Sequence, residues 1–433
     1  MDLSIPPGVS EAAELTSSLD AVLGDGFARL TPKQTDVLRG LAATFCDTPL
    51  HGLLSTAVEA LAAGELLSHH LAVIAAARSA LEGARSDALL AVAAQATGLM
   101  IEQPQVTTAS AGPEAQVRME SARQWLVEIA LAGLSQLDNA TIVPVIATLE
   151  GIQALPELQG LAAMLTGFAN ELLDHAPTSA LAEPPLRRWG DLWAHCMLLS
   201  HGAPEIVPGR SVSGTLAVLG ADIRHHDHLL SLVVHGLLEE EESRRLVRTT
   251  LSAWKVDAVS GAEIWGLLEP LAPELIKVLA APKLLRISDM VLAGGDLRWG
   301  GSATLTRKGA DPFTIDLSGA IFCPPPPRDR HPIGLSIPLV LNQITVGEDG
   351  IGGVPVAIDR VSPHSDYDPP EIASSTDMVA LLRFDGGWSL QPLAGRKGKK
   401  VFGPAQGIAA AKKIKKPALR ILQERAGKLL RRS

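Results

Sequence analysis

Leu279-Ala280-Ala281-Pro282-Lys283-Leu284-Leu285-Arg286-Ile287 marks the point where one texture of sequence gives way to another. Upstream, from about Ser10 to Ala281, apolar residues recur at helical spacing and are mostly Ala and Leu, which favour helix. Downstream of Pro282, short runs such as Leu284-Leu285-Arg286-Ile287, Ser302-Ala303-Thr304-Leu305-Thr306, Phe313-Thr314-Ile315-Asp316-Leu317 and Met378-Val379-Ala380-Leu381-Leu382 are bounded by Gly, Asp or Pro, as strands are. The punctuation Gly294-Gly295-Asp296, Lys308-Gly309-Ala310-Asp311 and Asp385-Gly386-Gly387 suits tight turns.

The expected fold is therefore multidomain, α then β. Residues 1–281 form a large all-helical region, either an irregular bundle or a degenerate α-solenoid, because no fixed repeat period is found. Residues 282–395 form a small antiparallel β-sandwich or barrel, and 396–433 a basic amphipathic tail. Within the helical part, Thr31-Pro32-Lys33-Gln34 reads as a capping box with proline at the first helical position, and Ser260-Gly261-Ala262-Glu263 follows the same logic. Leu66 to Ala80 and Ala88 to Ile101 carry so little polar face that they read as inner helices. Trp125, Trp189, Trp193, Trp254 and Trp265 are expected in the core.

The 433 residues are 46% hydrophobic and 20% charged, enough apolar mass to exclude a disordered chain. Cys46, Cys196 and Cys323 are odd in number and scattered, the pattern of reduced thiols. The start of the chain does not resemble a secretory signal. The longest charge-free stretches, Ala88 to Ile101 and His331 to Gly347, fall short of the roughly 20 apolar residues of a bilayer span. The expectation is a cytoplasmic protein with no transmembrane segment.

Charge is unevenly divided. Arg396 to Ser433 holds 13 basic residues against one acid, Glu424, while the first 395 residues hold 25 basic against 46 acidic, a net −21. Lys412-Lys413-Ile414-Lys415-Lys416-Pro417 ends one helical stretch, because proline disfavours helix in the residue before it. A second stretch then places Leu419, Leu422, Ala426, Leu429 and Leu430 on one face, with Arg425, Lys428, Arg431 and Arg432 outside it. Lys412, Lys413, Lys415, Lys416, Arg425, Lys428, Arg431 and Arg432 are the candidate partner- or phosphate-binding residues. Docking on an acidic protein surface is the leading use, with nucleic-acid backbone the alternative and a membrane surface the least favoured.

Histidines cluster at Ile223-Arg224-His225-His226-Asp227-His228 and His235. On a helix from about Arg224 to Leu238, His225, His228 and His235 would lie near one another, and with His195 or Cys196 they make a candidate metal site. No established ligand spacing supports it, and a polar helix start is the favoured reading. Glu239-Glu240-Glu241-Glu242 with Arg244 and Arg245 reads as i, i+4 pairs on a solvated helix. Gly209-Arg210-Ser211-Val212-Ser213-Gly214 misplaces the last glycine of a nucleophile elbow and reads as a helix start. Glu348, Asp349, Asp359, Asp366 and Asp368 read as turn chemistry, and Pro324 to Pro327 as a stiff crossover between strands.

No motif specifies a reaction and no cofactor is expected. The reading is a non-enzymatic adaptor or scaffold with protein partners. The alternatives are a nucleic-acid-associated protein acting through the tail and a metal-dependent enzyme built on His225, His228 and His235.

Overall fold

The computed structural model describes residues 2–108, 110–202, 205–225, 229–255, 259, 261–362 and 367–414. A helical region opens the chain with α1 (Val9–Asp25), α2 (Pro32–Thr44), α3 (His51–Ala62) and α4 (Ser68–Thr97). After the two-residue strands β1 (Met100–Ile101) and β2 (Thr107–Thr108) come α5 (Pro113–Ala132), α6 (Asn139–Ile142), α7 (Val145–Gln153), α8 (Gln159–Asp174) and α9 (Leu186–His201). Thr31 caps α2 as its spacing predicts: its hydroxyl accepts from the Gln34 N–H at 3.3 Å, and Gln34 Oε1 accepts from the Thr31 N–H at 2.8 Å.

Sheets follow. Strands β3 (Glu205–Ile206), β4 (Arg210–His225), β5 (Leu229–Glu239) and β6 (Arg244–Trp254) precede two helices, α10 (Ile264–Leu268) and α11 (Pro273–Ala280). Next come β7 (Lys283–Ala293), β8 (Asp296–Arg298), β9 (Ser302–Gly309), β10 (Ile321–Phe322) and β11 (Ile337–Asn342). The described chain closes with α12 (Pro369–Ala373), β12 (Asp377–Phe384), β13 (Trp388–Lys397), β14 (Lys400–Phe402) and α13 (Pro404–Ala411). An eight-stranded sheet runs β1-β10-β6-β5-β4-β7-β8 with β9 also on β7, and Arg248 of β6 pairs in parallel with Asp296 of β8. A four-stranded antiparallel sheet runs β11-β12-β13-β14.

Helix therefore gives way to strand at about residue 205 rather than 282. The segment from Arg224 to Leu238 is not a helix: Thr215 to His225 pair with Leu230 to Glu239 as the antiparallel arms of β4 and β5. The reason is burial on both faces. β4 and β5 are covered by helices on one side and the second sheet on the other, so their sequences run apolar without alternation, and periodicity cannot tell such a strand from a buried helix. Gly209 to Gly214 leads into β4 and is not a helix start. Glu239 to Arg244 is the link between β5 and β6, where Arg244 meets Glu239 at 3.6 Å and Arg245 meets Glu240 at 3.8 Å instead of the helical pairs.

Among the expected downstream strands, Leu284–Ile287, Ser302–Thr306 and Met378–Leu382 lie in β7, β9 and β12. Phe313 to Leu317 is not a strand, because the Asp311 carboxylate accepts from the Phe313 N–H at 3.0 Å and winds Pro312–Thr314 into a 3-10 turn. Residues after Gly395 do not all form a tail: β13 continues to Lys397, and Phe402 of β14 and Ile408 of α13 are buried. Trp125, Trp189, Trp193 and Trp265 are buried, whereas Trp254, at the end of β6, is 80% exposed. Pro324–Pro327 carries the chain out of β10 toward β11 and so from one sheet to the other. Asp368 caps α12 in a box with Glu371, while Asp366 lies outside the described residues.

Three apolar cores result. The helical core centres on α4, α5, α8 and α9, including Leu71, Ile74, Trp189 and Trp193. A second lies around β12 and β13, and a third between the eight-stranded sheet and α10, α11 and α13. The 30 residues of α4 span about 45 Å and supply Leu71 and Ile74 to the first core and Leu89 and Leu90 to the second. Where the sheets meet, a Cβ at Gly220 of β4 would lie 2.9 Å from Leu393 Cβ of β13, so only glycine permits this approach. No helix among the described residues is long and apolar enough to cross a membrane.

Candidate functional site

A group of buried charged side chains lies where α1, α4 and α9 meet the segment between the sheets. On α4, Arg78, Glu82 and Arg85 fall at i, i+4 and i+7 on one face, and all three are buried. Arg78 forks onto Asp20 of α1, with Nε to Oδ1 at 2.6 Å and Nη2 to Oδ2 at 2.8 Å, and its Nη1 donates to Asp191 of α9. Arg85 Nη1 donates to both Glu82 oxygens at 2.7 Å, and its Nε donates to the Val9 carbonyl at 3.1 Å. Such charges are tolerated out of water because each guanidinium has a carboxylate.

Onto this group the sequence Arg328-Asp329-Arg330-His331 closes like a zipper. Arg328 pairs with Glu205 of β3 at 2.5 Å, and Asp329 with His195 of α9 at 2.9 Å. Arg330 pairs with Asp87 of α4 at 2.9 Å and also donates to the Pro325 carbonyl. His331 Nε2 stands 3.3 Å from both Glu82 Oε2 and Asp191 Oδ1, close enough for attraction but not aligned as a hydrogen bond. Its Nδ1 accepts the Ile333 N–H at 3.1 Å, which leaves a ring proton on Nε2, toward the carboxylates. Burial raises the Asp191 carboxyl, but His331 and Arg78 outweigh it and bring it down to about 2. A cavity of about 200 Å³ remains among Arg78, Glu82, Asp191, His195, Asp329 and His331.

Chemically, this arrangement joins elements. It has imidazoles and carboxylates, yet each of the four residues of the zipper is engaged with a partner outside the crossover, on α4, α9 or β3, so the group clamps the inter-sheet crossover onto the helices and β3.

The histidines of the candidate metal site do not converge where they are described. His225 ends β4 opposite Leu230, while His235 of β5 lies opposite Gly220. Five residues of strand separate those positions, about 16 Å. His228 lies outside the described residues, as does His226. Cys196 is fully buried in the helical core with its thiol pushed up by burial, while the neighbouring His195 is taken by Asp329. No group of three or more His, Cys, Asp or Glu able to hold a metal ion occurs among the described residues. His235 instead faces the second sheet near Asp222 and Arg383, and burial pushes its imidazole down to about 3.

Lys412 and Lys413 follow α13, and neither forms an ion pair with a described residue. Lys415, Lys416, Arg425, Lys428, Arg431 and Arg432 lie outside the described residues. Sequence reasoning passed over Arg78, Glu82, Arg85 and the zipper. The signal was available: charges inside an Ala- and Leu-rich helix with little polar face have to be answered by charges from elsewhere.

No family model, curated protein or solved structure matches this chain.

Proposed function

We propose that the protein is a non-enzymatic adaptor: a helical platform and two sheets present surfaces to protein partners, and the basic C-terminal segment attaches the molecule to an acidic one. The observation that carries this reading is the division of charge. Many guanidinium groups of the body are spent on internal carboxylates, as in Arg78–Asp20, Arg85–Glu82, Arg245–Glu102 and Arg330–Asp87. From Lys412 onward there are nine basic residues against Glu424, and the first two have no ion-pair partner among described residues. In this reading the platform is an irregular bundle, since α4 packs on α1, α3, α5 and α9 rather than on sequence neighbours alone. The sheets act as a sandwich joined through β4 and β13, and the protein works in the cytoplasm.

The test compares the full chain with a version ending at Ile414, using fluorescein-labelled polyglutamate and a labelled random-sequence DNA duplex at low and physiological salt. Polyglutamate should bind the full chain, weaken with salt and lose most of its affinity with the truncation. Duplex binding about tenfold tighter than polyglutamate at the same salt, with a steep salt slope, would replace the adaptor by the nucleic-acid reading. Absence of binding to both would remove the electrostatic attachment altogether.

A further inference from the structure

A second cavity, of about 500 Å³, lies where β4, α11, the β13–β14 hairpin and the start of α13 meet. Its size falls within the range of small-molecule sites. Its walls are mostly apolar, with Val218, Val278, Phe313, Ala394, Val401 and Phe402 among them, and its charged lining residues are Asp311, Arg396 and Lys399.

The two cations are not equivalent. Arg396 is held by Asp311 at 2.7 Å and Asp377 at 3.0 Å, and its guanidinium lies 4.8 Å from the centre of the Phe313 ring. Its charge is answered within the fold. Lys399 sits on the exposed turn between β13 and β14 and has no ion pair with a described residue, whereas the adjacent Lys400 is engaged by Glu371 at 3.3 Å and by the Phe402 ring. The site thus offers an apolar interior and one uncommitted ammonium group beside it. A further pair, Lys412 and Lys413, lies beyond α13, whose eight residues span about 12 Å.

We infer that this cavity binds a single-chain anionic amphiphile, a long-chain carboxylate whose hydrocarbon tail fills the space lined by Val218, Val278 and Phe313 and whose head meets Lys399. A neutral apolar ligand would leave the lysine without a role. A small polar anion would leave the apolar walls unused and would have to compete with water for one exposed lysine. The amphiphile answers both halves of the site, the tail by burial of apolar surface and the head by charge.

The test is titration of the full chain with cis-parinaric acid, a fluorescent long-chain carboxylate, kept below its micellar concentration. Saturable binding at one molecule per chain is expected, displaced by palmitate. Ala405→Phe, which fills the cavity wall at α13, should weaken binding about tenfold, and Lys399→Ala about threefold. The methyl ester of the probe should bind about threefold more weakly than the acid and should not respond to Lys399→Ala. Ala310→Phe, on another wall, repeats the filling test if Ala405→Phe does not fold. No saturable binding, or binding indifferent to filling, would overturn the site; an ester that binds as tightly as the acid would overturn the anionic ligand.

Discussion

Asp222 of β4 and Arg383 of β12 meet at 3.0 Å across the two sheets, and both side chains are buried. Gln391 of β13 completes the group: its Nε2 donates to Asp222 Oδ1 at 2.8 Å, and its Oε1 accepts from Arg383 Nε at 2.9 Å. Burial draws the Arg383 guanidinium down to about 10 even with Asp222 beside it.

Removing one partner of that pair should therefore be worse than removing both. Asp222→Ala leaves a buried guanidinium and should lower stability by about 3–5 kcal/mol. Asp222→Leu combined with Arg383→Met should recover a large part of the loss. Urea unfolding of the single and double variants checks this, and equal losses in both would contradict it.

His235 predicts a pH dependence. Buried beside Asp222, Arg383, Arg248 and Arg224, it remains neutral in the folded protein down to about pH 3, while in the unfolded chain it takes a proton below its ordinary value of 6.5. The unfolded state then binds more protons in that window, so this contribution to stability is complete above pH 6.5 and is lost as pH falls toward 3. The loss should be about 2 kcal/mol between pH 7 and pH 5. His235→Gln should flatten that part of the urea-midpoint profile; an unchanged slope would place the acid sensitivity elsewhere.

The zipper should be a point of weakness when opened. His331→Ala leaves Glu82 and Asp191 without the ring between them and should lower stability by about 1–3 kcal/mol. Trypsin should then cut more readily after Arg328 and Arg330, which are held by Glu205 and Asp87 in the intact protein. Cleavage at an unchanged rate would show that the other three residues suffice.

Two truncations should separate attachment from folding. Ending the chain at Gly395 removes β14 and α13, with the buried Phe402 and Ile408, and should unfold the four-stranded sheet. Loss of the Phe402 side chain alone should cost about 3–5 kcal/mol. Ending at Ile414 removes no described element and should leave the melting temperature within about 2 °C. A large drop on that shorter truncation would mean that the basic segment contributes to stability as well as to attachment.

The local devices were legible in the residues themselves. The Thr31 capping box, the burial of Trp189 and Trp193, and the strands at Leu284, Ser302 and Met378 each follow from a few neighbours in sequence. The histidine-rich stretch was misread for a physical reason. Leu229 to Leu238 is apolar on both sides because two layers cover it, and only the presence of those layers distinguishes a strand there from a helix. The ionic clamp was equally hidden, since Asp20, Arg78, Asp191 and His331 are separated by tens to hundreds of residues and no spacing rule connects them.

Sequence by itself determined an early helical region followed by sheet, the capped start of α2 and the unequal distribution of charge, because propensity, capping and composition act over short stretches of chain. The tertiary structure alone decided that strand begins near residue 205, that β14 and α13 belong to the folded body, and that Asp222 finds Arg383 while His331 finds Glu82 and Asp191. Those outcomes depend on which buried faces and unanswered charges meet, and a charge removed from water must be answered by whatever the fold brings beside it.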